Sequence, residues 1–124
     1  MTQRALIVDD STTIRIILGK MLAELGFDVA TAEDGTDALQ HISNGPTPDL
    51  MLVDWNMPGM SGLDFIKKVR SQPSAATTKI LMVTTETELH SMQEALQSGA
   101  DEYLMKPFTS EAVAEKLQLL GFEV

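Results

Sequence analysis

The sequence predicts an α/β fold, a single open parallel sheet of five strands with helices packed on both faces. Two observations carry this. Five short apolar runs recur along the chain, at 5–8, 27–32, 50–53, 80–83 and 103–105, and helical periodicity fills the segments between them. No linker, low-complexity tract or charge block divides the 124 residues, so they are expected to form one domain over 1–124 with a sizeable core.

Each run is too short for a core helix and rich in Val, Ile, Leu or Met, as a strand buried on both faces requires. The 27–32 run is the weakest of the five. After the first strand, Ile14, Ile17, Leu18, Met21, Leu22 and Leu25 form one helical stripe, with Ser11 or Thr12 as its cap and Gly26 as its stop. The second helix carries Ala38, Leu39 and Ile42 and stops near "NGPTP". In the third, Leu63, Phe65, Ile66 and Val69 face inward, the basic residues come late and Pro73 lies beyond. Leu89, Met92 and Leu96 mark a fourth before Gly99; Val113, Leu117 and Leu120 mark a fifth, capped by Thr109 or Ser110 and ended by Gly121.

Five βα units are too few for an eight-stranded barrel. The flavodoxin-like strand order 2-1-3-4-5, with right-handed crossovers, is the expected solution. Ligands of such sheets bind beyond the C-terminal strand ends, where the order reverses. That point falls between the first and third strands, at Asp9, Asp10 and Asp54.

Composition excludes several function classes. Eighteen acidic against nine basic residues give a formal charge of -9, which repels a nucleic-acid backbone. The chain has no cysteine, hence no disulfide framework, thiol nucleophile or thiolate metal site. It has neither a signal-like segment nor the run of about 18 apolar residues that a membrane span needs. A soluble cytoplasmic protein is expected. His41 and His90 are too few for a zinc site, and no GxxxxGK[ST] or GxGxxG motif occurs.

The strand tips carry the chemistry. Three carboxylates in one crevice raise one another's pKa unless something neutralises them, and a helix cap does not need two. Mg²⁺ fits better, because it takes oxygen donors and completes its shell with water and phosphate. The backbone carbonyl of Asn56 offers one more oxygen. Lys106, ending the fifth strand before Pro107, is a point charge able to hold a phosphate oxygen, and a cis bond to Pro107 would fix its aim. Thr84 adds a hydroxyl at the fourth tip. This set suits phosphoryl transfer to a carboxylate, with Asp54 as the nucleophile.

The segments "LIVDDS", "VDWNMPGMSGLDFIKKVR", "ILMVTTE", "GADEYLMKPF" and "EAVAEKLQLLG" together resemble the receiver domain of two-component response regulators, essentially end to end. "DWN" at Asp54 is similar to the chemotaxis type. The resemblance implies that Asp54 is the phospho-acceptor, that Asp9 and Asp10 hold Mg²⁺, and that Asn56 supplies its carbonyl. It also implies a switch hydroxyl at Thr84, a phosphate-binding Lys106 with a cis bond to Pro107, and an aromatic switch at Tyr103. The implied donor is the phosphohistidine of a sensor histidine kinase. The implied output is a downstream protein that reads the face of the fourth helix, fifth strand and fifth helix. A monomer is expected, with dimerisation open to the phosphorylated form.

Departures from the family pattern bear on subtype. Thr85 stands where chemotaxis proteins more often have alanine, and its bulk is expected to restrict access to the site. Asn56 and Glu86 are expected to flank the attacking water and tune the lifetime of the phosphate. Ser61 replaces a usual Asp and should cap its helix equally well. The last helix carries Glu111 and Glu115 with only Lys116, a polarity that suits a flagellar-motor docking segment poorly; chemotaxis-type signalling is the expected role, with a single-domain phosphorelay or adaptor receiver as the alternative. A free receiver and an isolated piece of a larger regulator both fit. Two readings outside signalling by phosphate carry less support. A pseudo-receiver would not need the complete Asp9, Asp10, Asp54, Thr84 and Lys106 set, and an aspartyl phosphatase would need an acid where Asn56 stands.

Overall fold

A computed structural model describes residues 2–124. Strands β1 (Arg4–Val8), β2 (Asp28–Ala32), β3 (Leu50–Asp54), β4 (Lys79–Thr84) and β5 (Glu102–Met105) form one parallel sheet in the order 2-1-3-4-5. Helices α1 (Thr12–Glu24), α2 (Gly35–Asn44), α3 (Gly62–Arg70), α4 (Met92–Ser98) and α5 (Ser110–Leu119) alternate with them. The expected class and strand order are both found.

Side-chain alternation along the strands feeds two core layers. Leu6, Val8, Met51, Val53, Ile80 and Met82 pack with Ala38, Ile42, Phe65, Ile66 and Ala95 of α2, α3 and α4. Ala5, Ile7, Leu50, Leu52, Leu81 and Val83 pack with Leu18, Leu22, Val113 and Leu117 of α1 and α5. Central β3 is buried along its whole length, whereas edge strand β2 buries only Ala32, which is why its run was faint in the sequence. Burying each large apolar side chain is worth about 1.5–3 kcal/mol, so the sheet centre is the rigid base on which the strand tips stand. Phe122 meets Phe27 edge-on at 5.4 Å and seats the final residues in the second layer.

The caps follow the sequence. Ser11, Asp34, Ser61 and Thr109 each accept a backbone N–H three residues on, at 3.3, 2.8, 3.2 and 3.1 Å. Ser61 thus does what an Asp would do there.

The fourth helical segment departs from expectation. Residues Glu86–Ser91 form a 3₁₀ segment with no buried residue, and α4 proper has seven residues. Only Met92 and Ala95 reach the core, while Leu89 and Leu96 of the expected stripe are 36% and 40% exposed. No side chain caps either start, so nothing local favours a full α-turn over the tighter one. On α1, Ile17 likewise stays 40% exposed, while Leu18 and Leu22 are fully buried and Ile14, Met21 and Leu25 pack against the second layer half-buried.

The other end of α4 is pinned. The Arg70 guanidinium donates to the carbonyls of Gly99 and Ala75, both at 2.9 Å, and to Asp101 Oδ2 at 2.8 Å. The same Asp101 oxygen accepts the N–H of Ile80 at 2.8 Å. Gly99 has φ 127°, and a Cβ there would lie 2.6 Å from Arg70 Cγ. Gly99→Ala is therefore expected to destabilise the fold by about 2 kcal/mol or more, read as a lowered urea midpoint. An unchanged midpoint would show that the junction yields freely.

Candidate functional site

The tips of β1, β3, β4 and β5 converge at one end of the sheet. Asp9 directly follows β1 and is almost fully buried, whereas Asp10, next in the chain, is exposed. Asp54 ends β3 at 7% exposure. One carboxylate oxygen from each of Asp9, Asp10 and Asp54 lies within 4.8 Å of the others. Neither Asp9 nor Asp10 caps α1, because Ser11 does. Asp9 Oδ1 accepts the Ser11 N–H at 2.9 Å, which turns the carboxylate toward the crevice.

Lys106 stands against the acids. Its Nζ lies 3.6 Å from Asp9 Oδ2 and 3.5 Å from Asp54 Oδ1. The strand fixes its backbone, whose N–H donates to the Thr84 carbonyl at 2.7 Å, and the bond to Pro107 is cis. One cation does not satisfy this cluster. Asp9 Oδ2 is buried without a hydrogen-bond partner among the described residues. Asp54 has its pKa pushed from 3.8 up to about 6, first by burial and then by Asp9, with a smaller push from Asp10. Lys106 and the Asn56 N–H, which donates to Asp54 Oδ1 at 3.3 Å, hold it down.

A buried carboxylate oxygen with no hydrogen bond, beside two further carboxylates, is a donor set for a hard divalent cation. The residues present fit Mg²⁺.

A family model for the response regulator receiver domain matches residues 5–118. The chain belongs to that family. It is similar to the chemotaxis protein CheY of Pseudomonas aeruginosa, with 41% identity over 93% of both chains. The chemotaxis protein CheY1 of Helicobacter pylori is 40% identical, covering 94% of this chain and 95% of its own. Among solved structures, the chemotaxis response regulator CheY4 of Vibrio cholerae superposes with a TM-score of 0.90 at 39% identity, over 97% of this receiver and 99% of that chain. Receivers use Mg²⁺ at an acidic pocket, and the Asp9, Asp10 and Asp54 cluster supplies one here.

The remaining sequence-derived residues are spread over the β3, β4 and β5 ends and α5. Thr84 is buried at the β4 tip, and its hydroxyl donates to the Thr85 carbonyl at 3.3 Å rather than to a carboxylate of the site. Thr85 is half-buried at the start of the 3₁₀ segment, while Asn56 and Glu86 are exposed. Tyr103 lies within β5, three residues before Lys106, half-buried against the first core layer. Lys116 Nζ sits 4.7 Å from its ring centroid and 3.2 Å from Glu102 Oε1. That leaves Glu111 and Glu115 exposed on α5.

Sequence reading missed Arg15. Its guanidinium donates to the Asp9 carbonyl at 2.6 Å and to Thr12 Oγ1 at 3.2 Å, bracing the loop that carries the acidic pair. The signal was available: Arg15 lies one helical turn after Ser11, on the side of α1 that faces back over the loop. No described helix is long and apolar enough to cross a membrane.

Proposed function

We propose that this receiver, acting as one unit over residues 1–124, accepts a phosphoryl group on Asp54 from the phosphohistidine of a sensor histidine kinase. The observation that carries the reading is Lys106, poised 3.5 Å from Asp54 in a pocket where Asp9 keeps a buried oxygen with no hydrogen bond. An Asp54 carboxylate oxygen attacks phosphorus in line. The O–P bond forms as the N–P bond breaks, and the imidazole nitrogen keeps the electron pair. Lys106 binds a phosphoryl oxygen, and Thr84, turning away from Thr85, donates to another. Asp9, Asp10, Asp54 and the Asn56 carbonyl would hold Mg²⁺, which supplies charge neutralisation at the phosphoryl group. Water attack on phosphorus returns the Asp54 carboxylate and inorganic phosphate, with Asn56 and Glu86 setting the pace.

The dianion at Asp54 biases a two-state element. Thr84 moves toward it, Tyr103 turns inward, and the α4–β5–α5 face changes for a downstream protein. The relatives' names support chemotaxis-type signalling, and the receiver is read as a cytoplasmic protein. The exposed Glu111 and Glu115 favour a partner with a basic docking segment, as in a phosphorelay or adaptor role away from the flagellar motor. The receiver works as a monomer, and the phosphorylated form has the α4 face available for pairing.

Incubation with acetyl phosphate, followed by intact mass, tests this. One added phosphoryl group is expected, lost without Mg²⁺ and lost in Asp54→Asn. An adduct that survives in Asp54→Asn, or none despite Mg²⁺ binding, would contradict the reading.

A further inference from the structure

We infer that Glu88, acting through Thr85, is a positioning residue that latches the β4–α4 connection and sets the rest position of the Thr84 hydroxyl. The inference rests on Thr84 serving a phosphorylated Asp54 as proposed above. Two polar groups of Thr85, its hydroxyl and its carbonyl, meet Glu88. The Thr85 hydroxyl donates to Glu88 Oε1 at 3.0 Å, and the Thr85 carbonyl accepts the Glu88 N–H at 3.1 Å. Thr87 Oγ1 completes the cluster, 3.0 Å from Thr85 Oγ1.

That same Thr85 carbonyl accepts the Thr84 hydroxyl at 3.3 Å. One carbonyl therefore parks the hydroxyl and anchors the following turn. The Thr85 hydroxyl is spent on the carboxylate, not on capping the 3₁₀ segment. Since Glu86–Ser91 buries no residue, core packing does not fix this connection, and the hydrogen bonds to Glu88 do. A hydroxyl bonded to a carboxylate is the stronger, charge-assisted kind.

For Thr84 to serve a phosphoryl group, its hydroxyl must leave the latched carbonyl. The latch thus keeps the competent arrangement a minor population, and apparent affinity for anything that needs it falls by that fraction. Position 85 therefore acts on the site through a hydrogen bond as well as through bulk.

The test uses the whole chain, Mg²⁺ and beryllofluoride, a tetrahedral mimic of a phosphoryl group, with emission from Trp55 beside Asp54 as the readout. Thr85→Val and Glu88→Ala are each expected to tighten apparent beryllofluoride affinity about three- to tenfold, the scale of one hydrogen bond. Glu88→Gln, which keeps an oxygen acceptor but not the charge, should bring affinity part of the way back toward the wild-type value. Affinity for Mg²⁺ alone should stay constant in all three. Unchanged or weaker binding in Thr85→Val and Glu88→Ala would overturn the latch. So would tightening in Glu88→Gln equal to that in Glu88→Ala, since charge alone would then be the cause. Failure of the wild type to bind beryllofluoride would instead overturn the phospho-acceptor reading, and the latch with it.

Discussion

Asp54→Asn is expected to be more stable than the wild type at neutral pH, by up to about 3 kcal/mol, and no more stable below about pH 4. The Asp54 carboxyl rises from 3.8 unfolded to about 6 folded, first because it is buried and then because Asp9 faces it. The folded state therefore binds the proton more tightly. The stability gained from protonated Asp54 is complete below 3.8 and is lost as pH rises through about 6. Above that range the native protein holds an ionised carboxylate in a poorly solvated pocket, a cost that asparagine does not bear. For a domain of this size the advantage corresponds to at most about 10 °C in Tm, reduced by whatever solvent reaches the pocket. Saturating Mg²⁺ should narrow the gap by binding the native wild type. Thermal melts of both proteins across pH check this. A constant difference from acid to neutral pH would show that Asp54 is not strained.

Lys106→Met is expected to slow phosphorylation by acetyl phosphate about 10²- to 10³-fold, the usual loss when one preorganised charge at a transition state is removed. The same substitution removes the largest influence holding the Asp54 pKa down, so its titration midpoint should move above about 6. Carboxyl NMR of Mg²⁺-free protein reads that midpoint directly. Rate and midpoint should change together. A slower rate with an unmoved midpoint would mean that Lys106 contacts the phosphoryl group but not Asp54.

Much of this was legible in the sequence, for identifiable physical reasons. Strands β1, β3 and β4 are buried on both faces and so read as unbroken apolar runs. The tip residues Asp9, Asp54, Thr84 and Lys106 follow from chain order once the sheet order is set. What the sequence hid lies mainly in weak local signals and long side chains. Leu89 and Leu96 have helical spacing with Met92, yet spacing cannot say that uncapped Glu86–Ser91 would tighten into a 3₁₀ segment and leave them exposed. Arg70 reaches Gly99 across 29 residues of sequence, a contact no local pattern encodes. Glu88 carries no sequence signal of its own, because its contact depends on which way Thr85 turns its hydroxyl. Thr84 ends β4 as expected, but its resting partner, the Thr85 carbonyl, is visible only in three dimensions.

Phosphoryl transfer and switching both depend on Asp54 being the group that carries the phosphate. Borohydride reduction of protein treated with acetyl phosphate and Mg²⁺, followed by peptide mapping, tests this most directly, because hydride converts an acyl phosphate to an alcohol and leaves free carboxylates untouched. The predicted result is a reduced side chain at position 54 alone. Reduction at Asp9, Asp10 or elsewhere, with position 54 intact, would contradict the mechanism.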